Sequence, residues 1–311
     1  MRVVKKNRKA LDFSSDVEYQ YHIPVLMQEV LSFMAVRNNA HYLDVTLGGA
    51  GHTRAFLDSN ETIKVTGLDW DKYAVKRAVT LKKTYGNRLD VIVGNFGQLY
   101  SIAKKHSFPL FDGILADFGT SQFQINEREG FSFSHDTPLD MRMSQSHYKV
   151  TAAIIVNNAS EEELATLFWD YGEERRSRVI ARAIVKERAI KKITTTGQLA
   201  ALIEQCVGGR KGQKIHPATR AFQALRIVVN KELDNIQSFL PVAFALLKPG
   251  GRLLCISFHS LEDRLVKQFC KKKEQEGVGF SVVNGIVTAS TEEIAQNSSS
   301  RSAKLRVLEK K

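Results

Sequence analysis

Cysteine is scarce: the 311 residues hold three, Cys206, Cys255 and Cys270, and no two have Cys-x-x-Cys spacing. That argues against a disulfide framework and a thiolate zinc site, and it suits a reducing compartment. No apolar run approaches the ~18 residues of a membrane span. The N-terminus carries Lys5, Lys6, Arg8 and Lys9 without the apolar segment of a secretory signal. A cytoplasmic protein with a flexible basic arm over residues 1–21 is the expectation. Acidic residues are outnumbered, 33 against 45 Lys and Arg, for a formal charge of +12. Such an excess points to a polyanionic partner, nucleic acid before an anionic membrane. A hydrophobic content of 43% is ordinary for a globular chain with a real core.

What is present is organised around His41-Tyr-Leu-Asp-Val-Thr-Leu-Gly-Gly-Ala-Gly-His52. Tyr42 to Thr46 reads as a buried strand, Gly48, Gly49 and Gly51 as a tight turn, and Thr53 to Leu57 as the start of a helix. Glycines let backbone approach a ligand, and a helix start offers free N–H groups. Lys64 to Asp69 reads as the next strand, and Asp69 stands 25 residues beyond Asp44, near the spacing of an acid that takes ribose hydroxyls. The dinucleotide fingerprint G-x-G-x-x-G is missing, since Gly49-Ala-Gly51 runs into His52, Thr53 and Arg54. The pattern fits a nucleoside cofactor with no pyrophosphate, such as S-adenosylmethionine (SAM). A glycine-rich turn of any α/β protein is the competing reading.

Along the chain, a helix is expected after Pro24, with Leu26, Val30 and Phe33 at helical spacing. Asp90 to Gly94 and Phe111 to Asp117 read as third and fourth strands, with Asn95, Phe96 and Asp117 at their carboxyl ends, the edge where open α/β sheets bind ligands. The alternation stops from Gln122 to Thr219. Ser160 to Glu163 has capping-box spacing, and Arg175 to Lys192 reads as a basic helix. A further helix starts at Thr196, and Gly208 to Ile215 reads as a flexible basic loop. A helical region from Thr219 to Leu247, breaking near Pro241, then leads to the turn Lys248-Pro-Gly-Gly251, a strand to Ser257 and a helix from Leu261 to Lys272. Phe280–Val283 and Leu305–Leu308 read as a closing pair of strands, with a mobile polar segment, Asn297 to Ser302, between them.

Several stretches carry a closer likeness. They include His22-Ile-Pro-Val-Leu, Asp44 to His52, Asp117-Phe-Gly-Thr-Ser121 and Pro138-Leu-Asp-Met-Arg-Met143. They continue with Tyr171-Gly-Glu-Glu174, His216-Pro-Ala-Thr-Arg220, Phe222-Gln-Ala-Leu-Arg226, Ser257-Phe-His-Ser-Leu-Glu-Asp-Arg264 and Arg301 to Arg306. In this order they resemble the bacterial 16S ribosomal RNA cytosine-N4 methyltransferase family (MraW). The resemblance implies an α/β fold: a Rossmann-like SAM-dependent methyltransferase sheet (residues 22–121 and 220–311) with an inserted, mainly helical substrate-recognition domain (122–219). It implies SAM as methyl donor and the N4 amine of a decoding-centre cytidine in 16S rRNA as substrate, presented within the small ribosomal subunit. No membrane and no metal enter, and a homodimer stays open. Carried over by motif, the SAM contacts fall on Ala50, Gly51, His52, Asp69, Phe96, Asp117 and Gln124. The chain departs from the family's pattern at Gln122 and Asn126. Two alternatives therefore remain: another nucleic-acid amine as target, and a SAM-binding assembly factor without turnover.

The chemistry needs an acceptor that orients a poorly nucleophilic amine. Asp117, with Ser121 assisting, is the candidate; a contact with the methionine end of SAM is its other reading. Asp44 either touches the cofactor or braces the glycine turn, and His52 reads as a helix-start contact rather than a base. His259, Arg264 and Arg220 are candidate substrate contacts, although Ser260, Glu262 and Asp263 also suit a plain helix cap. The basic helix and the loop Arg210–Lys214 suit RNA phosphates. Phe123, Phe131, Phe133 and Phe258 are candidates to stack on a flipped base.

Overall fold

The computed structural model describes residues 24–119, 129–145, 147–209 and 215–311. The basic arm, the segment holding Ser121, Phe123 and Gln124, and the loop Arg210–Lys214 lie outside the described residues.

Strand–helix alternation builds the first half. β1 (His41–Asp44), β2 (Lys64–Asp69), β3 (Leu89–Val93) and β4 (Phe111–Asp117) alternate with α2 (Gly51–Ser59), α3 (Lys72–Tyr85) and α4 (Leu99–His106). α1 (Met27–Met34) precedes them; it begins after Pro24, because Leu26 is left-handed at φ 55°. β5 (Leu247–Ser257) joins β4 in parallel, and β8 (Lys304–Lys310) closes the edge antiparallel to β5. β6 (Gly279–Ser281) and the short β7 (Val287–Thr288) both pair with β8, so the expected closing pair forms with an extra strand. The order is β3-β2-β1-β4-β5-β8-β6. Strand order reverses between β1 and β4, and the crevice at such a point is where these sheets hold ligands. Register places Asp44 beside Leu115, Asp69 beside Val93 and Asp117 beside Ile256, so the three acids end neighbouring strands at one edge.

Two apolar layers flank the sheet. One carries Phe239, Leu240 and Phe244 against Ile114 and Leu253; the other carries Val30, Met34 and Phe56 against Tyr42 and Leu254. A third core belongs to the helices: α5 (Ala152–Asn158), α6 (Glu161–Gly172), α7 (Ser177–Ile190), α8 (Thr196–Cys206) and α9 (Thr219–Asn230). α6 and α8 start with full capping boxes, Ser160 with Glu163 and Thr195 with Gln198.

The long helical region does not break at Pro241. It breaks at Lys231, left-handed at φ 50°, which ends α9 and starts α10 (Glu232–Ala245). Pro241 lies inside α10, where buried Phe239, Leu240, Ala243 and Phe244 hold the helix to the sheet despite the missing N–H. The buried face of α9, including Ala221, Phe222 and Leu225, joins the helical core. α11 (Ser260–Gln275) and α12 (Thr291–Gln296) complete the helices. Asn297 to Ser302, expected to be mobile, forms a 3-10 turn with Ser300 fully buried, tied by the Ser300 Oγ to Asn297 O hydrogen bond of 2.7 Å. Among the described residues, no helix is long and apolar enough to cross a membrane.

Candidate active site

A cleft of about 350 Å³ opens at the carboxyl edge of β1, β2 and β4, within the range of ligand pockets. The glycine turn forms one wall. Asp44 ends β1 beneath it, fully buried; its carboxylate accepts from Thr53 Oγ1 at 2.7 Å and from Thr46 N at 3.2 Å. Burial pushes its carboxyl up to about 6. Asp44 thus braces the turn.

Asp69 braces it too. One oxygen accepts from Gly48 N and the other from Asp71 N, each at 2.8 Å. Burial again pushes the carboxyl up to about 6. A carboxylate oxygen has two lone pairs, so each keeps one for a ligand hydroxyl.

Ala50 is left-handed at φ 60° and begins α2. Gly51 must be glycine: an added Cβ would lie 2.1 Å from Pro24 Cγ. His52 lines the cleft at the start of α2. Its Nε2 bonds Val25 O at 2.9 Å, which clasps the segment 24–26 over the start of α2. Phe96 lines the cleft, packed against Phe118 and Phe239 with centroids 5.7 and 5.6 Å away. A Cβ on Gly49 would meet nothing within 4 Å, so that part of the wall is open to a ligand.

Asp117 ends β4 with its backbone N–H donating to Thr46 Oγ1 at 2.7 Å. Its Oδ1 is buried with no hydrogen-bond partner. Burial, then the nearby Asp44 and Glu262, push this carboxyl well above the usual range. An orphaned acceptor in a cleft is a group held for a ligand.

The far wall comes from residues to which sequence reasoning gave no role. Arg226 on α9 binds Glu232 on α10 through two bonds, Nε to Oε1 at 2.9 Å and Nη2 to Oε2 at 3.0 Å. Asn230 and Asn235 sit beside them. Asn230 holds the 141–143 loop, accepting from Met143 N at 2.7 Å and donating to Met141 O at 2.8 Å. Ser298, Ser299 and Ser302 of the 3-10 turn also line the cleft. Arg226 closes a quoted motif, which was the available signal; the serines gave none.

The candidate substrate contacts separate. Arg264 and Arg220 meet at Glu173 on the outer surface. Arg264 Nη2 lies 3.2 Å from the Glu173 carboxylate, Ser260 Oγ donates to it at 2.9 Å, and Arg220 Nη1 donates to the Glu173 carbonyl at 3.4 Å. His259 is instead 10% exposed and stands behind Glu262, its Nε2 3.2 Å from Oε1. Phe258 lines the cleft, whereas Phe133 packs inside the helical core against Phe222 and His216 at 5.0 and 4.5 Å. On the basic helix, Arg178, Arg182 and Lys186 are exposed. Arg188 and Arg176 are committed to backbone carbonyls of Val156 and Val207.

The cleft suits a cationic nucleoside. Asp69 has lone pairs free for hydroxyls, the glycine wall admits close approach, and carboxyls surround the space where a positive sulfonium would sit. An open α/β sheet with this edge is a SAM-dependent methyltransferase. The chain belongs to the MraW methylase family, whose model matches residues 19–311. It is 45% identical to the ribosomal RNA small subunit methyltransferase H of Coprothermobacter proteolyticus over 94% of this chain and 97% of that protein. The protein of the same name from Thermomicrobium roseum is also 45% identical, over 93% of each chain. Among solved structures, an rRNA methylase from Streptococcus thermophilus matches with TM-score 0.41 and 12% identity, over 93% of this chain and 98% of that one.

Proposed function

We propose that the protein methylates the exocyclic N4 amine of a decoding-centre cytidine in 16S rRNA, within the small ribosomal subunit in the cytoplasm. The relatives named above supply the ribosomal RNA. The observation that supports an amine target is the orphaned Asp117 Oδ1 at the end of β4, beside the glycine wall.

SAM supplies an electrophilic methyl on a positive sulfur. The chain's residues must do the rest. An exocyclic cytosine amine donates its lone pair into the ring, so it needs orientation before it attacks. Asp117 Oδ1 accepts an N4–H and turns the nitrogen towards the methyl. Beside a positive sulfur the Asp117 carboxyl ionises, which strengthens that bond. Ser121 assists from the segment outside the described residues, and Gln124, in the same segment, holds the cofactor. Asp69 takes the ribose, and Phe96 packs beside the cofactor. Arg220, Arg264 and the exposed cations of α7 hold RNA phosphates at the surface.

The test is transfer from labelled SAM to small subunits from cells lacking the activity, with modified nucleosides mapped by mass spectrometry. One labelled N4-methylcytidine in the decoding centre, lost with Asp117→Ala at unchanged SAM affinity, is the expected result. Label on another atom, or full turnover by Asp117→Ala, refutes the reading.

A further inference from the structure

The far wall of the cleft holds an ion pair that stability does not explain. Arg226 and Glu232 both line the cleft and are largely buried. Two hydrogen bonds join them, Nε to Oε1 at 2.9 Å and Nη2 to Oε2 at 3.0 Å. A buried pair of this kind is often no more stabilising than apolar side chains of similar volume. What it does supply is a guanidinium, five N–H donors in one plane, with that plane fixed by a bidentate carboxylate.

Side-chain donors are scarce at this end of the cleft. Asp117, Glu232 and Glu262 bring carboxyls. The Asn230 amide gives its N–H groups to Met141 O and Arg226 O, at 2.8 and 2.9 Å. The Asn235 amide gives its own to Tyr148 Oη and Asn230 O, at 3.1 and 3.0 Å. Among the described lining residues Arg226 is the single Lys or Arg. Glu262 is near enough to act electrostatically on both Asp117 and Arg226, so acceptor and guanidinium share one end of the cleft. Phe258 lines that end too, its N–H donating to Glu262 Oε2 at 2.8 Å. Gly119 lets the chain pass close to its ring: an added Cβ would lie 3.0 Å from Phe258 Cδ2. A base has an aromatic face to stack on there.

We propose that Arg226 selects the base: its guanidinium donates to N3 and O2 of the target cytosine while Asp117 Oδ1 accepts from the N4 amine. Glu232 is the positioning residue that holds the fork in plane. The proposal rests on the amine reading above and adds how the base is chosen. Cytosine presents one donor, N4–H, beside two acceptors, N3 and O2. Uracil reverses the first two, turning an oxygen towards Asp117 and an N–H towards Arg226. Adenine keeps the amine and one ring acceptor but has no carbonyl in the place of O2. An acid on one side and a guanidinium on the other therefore match cytosine alone among the three. Bidentate guanidinium contacts to two neighbouring base acceptors are a recurrent means of discrimination.

The test is a double-mutant cycle between protein and base. Small subunits are reconstituted with 16S rRNA bearing either cytidine or 3-deazacytidine at the target. The analogue has CH in place of N3 and keeps the amine and O2. Single-turnover transfer from labelled SAM gives kcat/KM for wild type and for Arg226→Met with Glu232→Met, which removes the guanidinium and its partner together. Thermal melting checks the fold. The preference of wild type for cytidine should exceed that of the variant at least about tenfold. Any difference in intrinsic reactivity between the two amines is common to both proteins and cancels. A merely structural role would slow both substrates alike, and equal preferences overturn the proposal. Should the pair fail to fold or turn over, Arg226→Lys, which keeps a charge for Glu232 but not the planar fork, is judged by the same comparison. Wild-type label at an atom other than N4 overturns the amine reading itself; label at N4 with equal preferences overturns only the role of Arg226.

Discussion

The cleft is built from acids that burial keeps partly protonated, so binding a cation should expel protons. Asp44 and Asp69 are both pushed up to about 6 by burial, from an ordinary 3.8. Asp117 is also raised well above its ordinary value, by burial and then by Asp44 and Glu262. At pH 6 the first two are each about half protonated, so together they hold about one proton. A positive sulfur among them favours the ionised forms. SAM binding at pH 6 should therefore release about one proton from Asp44 and Asp69 together, with any from Asp117 in addition, and the share of the first two should fall away by pH 8. Returning one acid from about 6 to 3.8 is worth about 3 kcal/mol above pH 6, which bounds the gain per acid. The sign follows: SAM affinity rises as pH climbs through about 6. The ligand-free fold behaves oppositely. Its folded state prefers these acids protonated, so their contribution to stability declines as pH rises from about 4 to about 6. Calorimetry of SAM binding in buffers of different ionisation enthalpy counts the protons. Binding at pH 6 with no proton release, or equal release by the neutral thioether product, would refute the reasoning.

Three further outcomes are expected. Gly51→Ala places a Cβ 2.1 Å from Pro24 Cγ and should displace the clasp that His52 makes with Val25; a SAM dissociation constant raised at least about tenfold, by calorimetry, is the check. Arg226→Met strands the buried Glu232 carboxylate, and urea unfolding should show a loss of about 3–5 kcal/mol, largely recovered when Glu232→Met is added. Removing the exposed charges of Arg178, Arg182 and Lys186 together should flatten the salt dependence of RNA binding by about 2 in log–log slope for single-stranded contacts, measured by filter binding, while SAM affinity stays unchanged.

The first four strands were legible because each is a short, largely apolar run and three of them end in an acid, the pattern of a parallel strand whose loop meets a ligand. Capping residues marked α6 and α8 within a residue or so. The break in the α9–α10 region was misplaced because proline is the strongest breaker in sequence, whereas the actual break is a left-handed lysine, which no composition rule marks. The polar run Asn297 to Ser302 read as loose for want of apolar residues. It is held by serine and asparagine hydrogen bonds, including Asn297 Oδ1 with Ser299 N at 3.2 Å, which depend on where the chain brings them. Arg226 and Glu232 were hidden for another reason: six residues apart they would lie on different faces of one continuous helix, but the turn at Lys231 brings them together in the cleft wall.

Charge also divides the molecule. The chain as a whole carries +12, yet the cleft is walled by Asp69, Asp71, Asp117, Glu232 and Glu262 against the single guanidinium of Arg226 among its described lining residues. On the proposed reading, an RNA held at the basic surface would reach the cleft with a neutral base, since these acids would repel a phosphate. Transfer of the methyl group then removes the positive charge those acids favour. On the same reading the cleft would bind the charged donor better than its neutral product, so the reaction itself would weaken the hold on what must leave.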